Sequence, residues 1–198
     1  MNPKDEGGFI SVNHVEDQIL VQRSLQGEQK AFEQLVKRYQ KSIYNLAYRM
    51  TGSHEDAGDL AQETFLHAYE KLKTFQIGRR FSPWLFRIAS NLCINWQNRQ
   101  KWRAISLDSL SEDKKERLLR SDVSADPAFQ LERNQLQTLL QQEILALPVR
   151  YRLVFTLRYI EDHSCRQIAE ILDMPEGTVK TYLFRARRIL KKKLKNFY

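Results

Sequence analysis

The sequence is poor in residues that interrupt or cross-link a chain: its 198 positions hold five prolines, seven glycines and two cysteines. So few breakers favour long helices over a turn-rich sheet protein. Cys93 and Cys165 stand far apart, each in an apolar or helical context, which fits buried thiols in a reducing compartment better than a disulfide framework. His14, His54, His67 and His163 form no metal-ligand spacing with the cysteines or with one another, so neither metal nor cofactor is expected. No apolar run approaches the roughly 18 residues that span a bilayer, and Met1 to Val15 lacks the basic flank and apolar core of a signal peptide. The expectation is a cytoplasmic protein that is not itself a membrane protein. Without a phosphate-binding glycine loop, or a nucleophile and base at motif spacing, an enzyme is not expected either.

Positive charge and helical periodicity are abundant instead. The formal net charge is +8, which favours a polyanionic partner, with nucleic acid ahead of an anionic membrane surface. Phe32, Leu35, Val36, Tyr39, Ile43, Leu46, Ala47 and Met50 follow the spacing of one buried helical stripe. Thr51-Gly52 ends that helix and Ser53 caps the next, with Asp56 at its positive end. The second stripe is Ala57, Leu60, Ala61, Thr64, Ala68 and Leu72. After a loop from about Phe75 to Phe81, Ser82-Pro83 opens a third helix, with Trp84, Leu85, Ile88, Ala89, Leu92, Cys93 and Trp96 on one side. Periodicity lapses from about Ala104 to Pro127, where six acidic and four basic side chains mark a linker. It returns from Phe129 to Leu147-Pro148, and three shorter helical segments follow, near Val149–Glu161, Ser164–Leu172 and Pro175–Leu194.

The last two segments form the sharpest local pattern. Ser164 and Gln167 make a capping box, Asp173-Met174-Pro175 makes a turn, and Val179, Leu183, Ala186 and Leu190 face inward on the helix that follows. This is a helix-turn-helix, whose second helix enters the major groove. Its outward residues are Thr178, Lys180, Thr181, Phe184, Arg185, Arg187 and Arg188, able to hold phosphates and, through Arg and Lys, guanine edges. From Pro148 to Tyr198 there are twelve basic and five acidic side chains, so most of the net charge sits on this reader. By itself it is equally the mark of a polymerase-independent transcriptional regulator.

Three stretches together resemble one family. Ser164 to Arg188, with its Gly177-Thr178-Val179-Lys180-Thr181 and Arg185-Ala186-Arg187 runs, resembles region 4 of extracytoplasmic-function (ECF) sigma factors of the sigma-70 family. Asp56-Ala57-Gly58-Asp59-Leu60-Ala61-Gln62-Glu63-Thr64-Phe65 resembles sigma region 2.2, and Phe81 to Asn91 resembles regions 2.3 to 2.4. The order of these signatures, with no region 3 between them, is specific for the small two-domain class. The resemblance implies an all-α architecture of two helical domains joined by an extended linker. Its expected division is an N-terminal tail with the start of the first helix (1–24), sigma region 2 (25–103), the linker (104–127) and region 4 (128–198).

The resemblance also implies a function and its sites. A sigma factor binds core RNA polymerase, reads the −35 and −10 elements of promoter DNA and promotes melting, in this class within stress or envelope responses. Asp56, Asp59, Gln62, Glu63 and Phe65 are the expected core-polymerase face, meeting a basic helical hairpin of the largest subunit. Phe75, Arg79, Arg80, Phe81, Arg87, Asn91 and Arg99 are expected at the −10 element, where a flipped base needs aromatic surfaces, amide hydrogen bonds and cations. Arg166, Thr178, Lys180, Thr181, Phe184, Arg185 and Arg188 are expected at the −35 element. An anti-sigma factor, often membrane-bound in the family, is a further implied partner. Gly58, Asn95, Trp96, Asn98 and Tyr182 depart from the family pattern.

Overall fold

The computed structural model describes residues 8–108 and 131–194, and all regular structure among them is helical. The N-terminal half is α1 (Gly8–Leu25), α2 (Gln29–Thr51), α3 (His54–Lys71), a 3-10 turn (Leu72–Thr74) and α4 (Phe81–Asp108). The C-terminal half is α5 (Leu131–Leu145), α6 (Val149–Tyr159), α7 (Cys165–Leu172) and α8 (Glu176–Leu194). The caps expected from sequence form. Gly52 takes a left-handed φ of 77°, and its amide donates to the Tyr48 carbonyl at 2.8 Å. The Ser53 hydroxyl accepts from the Asp56 amide at 3.2 Å, and Ser164 with Gln167 makes the full capping box. The stripes pack as read, except that Val36, Tyr39, Ala61, Trp84, Ile88, Leu92 and Trp96 are only half-buried. Helix α4 runs on to Asp108, past the Ala104 where periodicity lapses. The rest of the expected linker, and Phe129, lie outside the described residues.

Helix α1 is not visible as a stripe in the sequence, where periodicity begins only at Leu25. The reason is that one of its inward positions is a carboxylate. Asp17 is 2% exposed; its Oδ1 accepts from Arg38 Nη1 at 2.6 Å and its Oδ2 from the Tyr39 hydroxyl at 2.5 Å. Burial, reinforced by that carboxylate, raises the Tyr39 hydroxyl well above its ordinary pKa. A buried charge survives when paired and hydrogen-bonded in this way, but it erases the apolar signal. Leu20 and Val21 complete the contact.

The two halves do not hang apart on a tether. One apolar core runs from Leu20 and Leu35 through Leu85, Phe86 and Cys93 to Leu153, Ile168 and Val179. Helix α2 packs against α5 and α6, and α4 against α7. The Phe86 ring meets the His163 imidazole edge-on at 4.5 Å. At the C-terminal end of α2, the Met50 carbonyl accepts from Arg152 Nη1 at 2.7 Å and from Gln97 Nε2 at 2.6 Å. Arg152 also donates to the Leu145 and Leu147 carbonyls. Burial pulls its pKa down to about 10, so the guanidinium stays charged at neutral pH. Replacing it by Met takes the side-chain donor from the Leu145 and Leu147 carbonyls and leaves the Met50 carbonyl with Gln97 alone. The Arg152→Met protein is expected to lose about 2–3 kcal/mol of stability in urea unfolding.

Two titratable groups in this seam oppose each other. Burial holds His163 at a pKa of about 4, against an ordinary 6.5, with Asp162 pulling weakly the other way. Burial raises Glu161 from 4.5 to about 7, against the pull of Ser42 and Arg49. Between about pH 4 and 6.5 the unfolded chain binds more protons at His163, so that group costs stability as pH falls. Between 4.5 and about 7 the folded chain binds more protons at Glu161, so that group costs stability as pH rises. The Glu161→Gln protein should therefore lose more stability from pH 6.5 to 4.5 than the parent, and His163→Gln less, in urea midpoints measured across that range.

Candidate functional site

Among the described residues, three concavities border the N-terminal bundle. The largest is a groove of about 900 Å³ between α2 and α3, with Phe32, Val36, Tyr44, Ala61, Phe65 and Leu66 along its walls. Gln62 and Gly58 also border it. Leu66 and Tyr69 are 57% and 54% exposed, large apolar side chains left uncovered on one helix face. Neither was singled out from the sequence. Leu66 lies four residues past Gln62 and Tyr69 four past Phe65 along α3, and that spacing is the signal that carries them.

The adjacent face of α3 carries the acids. Asp56, Asp59 and Glu63 line a polar cleft of about 210 Å³, opposite Trp96, Arg99 and Arg103 of α4. The Trp96 indole donates to Asp56 Oδ1 at 3.2 Å. The expected core-facing set thus divides between two neighbouring surfaces, Gln62 and Phe65 on the groove and the three acids in the cleft. Arg99 belongs to this cleft and not with the other residues expected at the −10 element.

Those others gather at a third place. Phe75, Arg79, Arg80, Trp84 and Arg87 line a pocket of about 160 Å³, together with Thr74 and, from the C-terminal half, Glu170. Asn91 is exposed one turn beyond Arg87 on α4. Phe81 corrects the expectation: at 1% exposure it offers no surface to a base. It lies beneath, with ring centroids 5.9 Å from Phe75 and 5.5 Å from Trp84, and the edge-on pair of Phe75 and Trp84 at 5.2 Å completes the wall. Phe75 is itself largely buried, so Trp84 is the more open ring. The loop is held from outside by α1. The Gln18 side chain accepts from the Gly78 amide at 3.0 Å and donates to the Arg79 carbonyl, bracketing the left-handed Gly78. No sequence signal marked Gln18, because its partner loop lies sixty residues away.

On the C-terminal half, Val179, Leu183, Ala186 and Leu190 of α8 are buried, and Lys180, Thr181, Phe184, Arg185 and Arg188 are exposed. Thr178 is half-buried, and Arg166 of α7 is exposed. Lys180 pairs with Glu176 at 2.7 Å, and Arg185 donates to the Tyr151 hydroxyl at 3.2 Å. Tyr182 packs on Tyr151 at 5.2 Å, which assigns this departure from the family pattern to the inner side of the helix. Among the described residues no helix is long and apolar enough to cross a membrane, and no three potential ligands cluster for a metal.

Comparison with known proteins accounts for both halves. The family model of Sigma-70 region 2 matches residues 35–103, and that of Sigma-70, region 4 matches 137–190. The chain is 41% identical over 173 residues to the ECF RNA polymerase sigma factor SigW of Bacillus subtilis, covering 86% of this chain and 92% of that protein. It is 36% identical over 181 residues to the ECF RNA polymerase sigma-E factor of Haemophilus influenzae, covering 90% and 95% respectively. A structure of CnrH in complex with the cytosolic domain of CnrY aligns with a TM-score of 0.68 at 25% identity, over 91% of this chain and 98% of that one. The chain belongs to the ECF sigma factors of the sigma-70 family. It is thus a promoter-reading subunit of RNA polymerase and a transcription initiation factor, not an enzyme.

Gly58 gives a direct test of the groove helix. Its hydrogen points into open space, with nothing within 4 Å of where a Cβ would lie, and its backbone is ordinary helix. The Gly58→Ala protein is expected to gain about 0.5–1 kcal/mol of stability in urea unfolding, with the groove otherwise unchanged.

Proposed function

We propose that the three concavities and the exposed face of α8 divide the work of initiation among named residues. The groove and the adjoining acids, through Asp56, Asp59, Gln62, Glu63, Phe65, Leu66 and Tyr69, dock a basic amphipathic helical element of core polymerase. Apolar area in the groove supplies affinity, and the acids orient the partner's cations. The small pocket receives an unstacked base of the −10 element. Trp84 and the edge of Phe75 offer it aromatic surface, while Arg79, Arg80, Arg87 and Asn91 hold its phosphates and polar edges. Phe81 serves from below by fixing the two rings. Arg99 neutralises the acidic cleft and reaches duplex phosphates from its outer rim. Arg166, Thr178, Lys180, Thr181, Phe184, Arg185 and Arg188 read the −35 element and its backbone.

On this reading residues 25–103 act as region 2 and 128–198 as region 4, with α1 as a brace for the −10 loop. The site of action is the cytoplasm, where polymerase works, and an anti-sigma factor covering the groove is the expected regulator. The supporting observation is the combination, on one small bundle, of an uncovered apolar groove and a separate basic, aromatic-walled pocket. A regulator that acts alone on duplex DNA has no use for either.

The test is run-off transcription from a randomised promoter library by core polymerase with and without the protein. Specific transcripts are expected only in its presence. Leu66→Asp, at an exposed position that the fold tolerates, should weaken core binding by about tenfold or more, about 1.4 kcal/mol, in a fluorescence titration. Tight sequence-specific duplex binding without polymerase, and no transcripts with it, would favour the autonomous regulator instead.

A further inference from the structure

Beyond the small pocket the exposed side of α4 continues as one ordered stripe. Arg87 lines the pocket, and Asn91, Asn95, Asn98 and Trp102 follow it, each exposed, at steps of three or four residues. At about 100° of turn per residue, these last four fall within about 60° of one another, on one helix face. Arg99 and Lys101, both exposed, flank that face on either side. Helix α4 carries four cations and no acid before Asp108, so no side chain of that stretch repels a phosphate. Trp102 is 70% exposed, more than any other large apolar side chain among the described residues. The neighbouring indole, Trp96, is instead turned to Asp56. Among the described residues, neither the three asparagines nor Trp102 has a side-chain hydrogen bond or ring contact within the chain. Asn95 and Asn98 depart from the family pattern, so the stripe is a feature of this chain in particular.

We propose that Asn95, Asn98 and Trp102 form a further base-reading surface, which selects A·T pairs in the duplex just upstream of the −10 element. The inference rests on the −10 reading of the adjoining pocket. Sequence order runs from that pocket along the stripe and on to the −35 reader, so the stripe leads from the captured base toward DNA that is still paired. From Asn91 to Trp102 the helix rises about 16 Å, the length of about five base pairs at 3.4 Å each. The major groove of such a duplex admits one helix. The preferred base follows from the chemistry of the side chains. A guanidinium suits guanine edges and a carboxylate suits cytosine, whereas a neutral amide pairs with both N6 and N7 of adenine. The open ring at the end of the stripe offers apolar contact to a thymine methyl group. Arg99 and Lys101, at the two margins, reach the phosphates that border the groove. The cations thus position the helix while the amides and the indole select the sequence.

The test is run-off transcription by core polymerase with the full-length protein. The −35 and −10 sequences that the parent selects from a random library are held fixed, and a window of about five base pairs upstream of the −10 element is randomised. With transcripts counted by sequencing, the parent should favour A·T-rich windows over G·C-rich ones by about tenfold, equivalent to about 1.4 kcal/mol. The variant combining Asn95→Ala, Asn98→Ala and Trp102→Ala should cut that ratio to less than about twofold. All three positions are exposed and helical, where alanine is favoured, and a urea midpoint at or above the parent's verifies the fold. Lys101→Gln should instead depress every window alike, as loss of a phosphate contact does. An A·T preference that came only from easier melting would persist in the triple variant, and that persistence would overturn the inference. So would the absence of any window preference in the parent, which leaves the selection of −35 and −10 sequences, and the sigma assignment, standing. If the parent selects no −10 sequence at all, the reading of the pocket falls and takes this inference with it.

Discussion

The C-terminal end of α2 organises the molecule. A helix ends on carbonyls with no partner in the chain that follows, and on the negative end of its dipole. Here that end is buried, so its carbonyls need donors from elsewhere. Gly52 turns back to one of them, and Gln97 of α4 reaches Met50 from within the same half. The remaining donors come from the other half: Gln141 to the Tyr48 carbonyl at 3.2 Å, and the charged Arg152 to Met50. A Cβ at Gly52 would stand 2.6 Å from Leu145 Cδ1, so this turn is also where α5 seats on α2. Satisfying one helix end thus brings the promoter-reading halves together.

That union decides what each surface meets. With α7 laid along α4, the pocket on the loop side of the bundle acquires acidic neighbours, while the groove between α2 and α3 and the outer face of α8 remain open. The attachment between the halves mixes a deep apolar core with exposed polar contacts. The apolar part gives the packed form its stability, and a surface ion pair such as Arg87–Asp173 adds little. Region 2 and region 4 are therefore separable units of sequence that share one interior.

Much of the bundle was legible in advance because helices obey local rules. The stripe of α2, the Gly52 and Ser53 caps, the Ser164–Gln167 box and the inward face of α8 all follow from residues within a turn or two of one another. The pocket residues were legible as a group through resemblance, but their individual parts were not. Phe75, Phe81 and Trp84 look alike in sequence, and only their packing order separates the buried support at Phe81 from the open ring at Trp84. Arg99 looked like a fourth cation for the same site, and the turn of α4 carries it round to the acidic cleft.

By itself the sequence determined that the protein is helical, where most helices begin and end, that its second half reads DNA, and which family it belongs to. These follow from periodicity, capping chemistry and short motifs, whose physics acts over a few residues. Tertiary structure alone decided that α1 holds the loop before α4 through Gln18, that Leu66 and Tyr69 are left uncovered, and that Glu170 lines the pocket of Phe75 and Trp84 while Asp173 pairs with Arg87. The first and last of these depend on which helix faces lie together across sixty or more residues of chain, a choice set by the summed burial and hydrogen-bond satisfaction of the whole core.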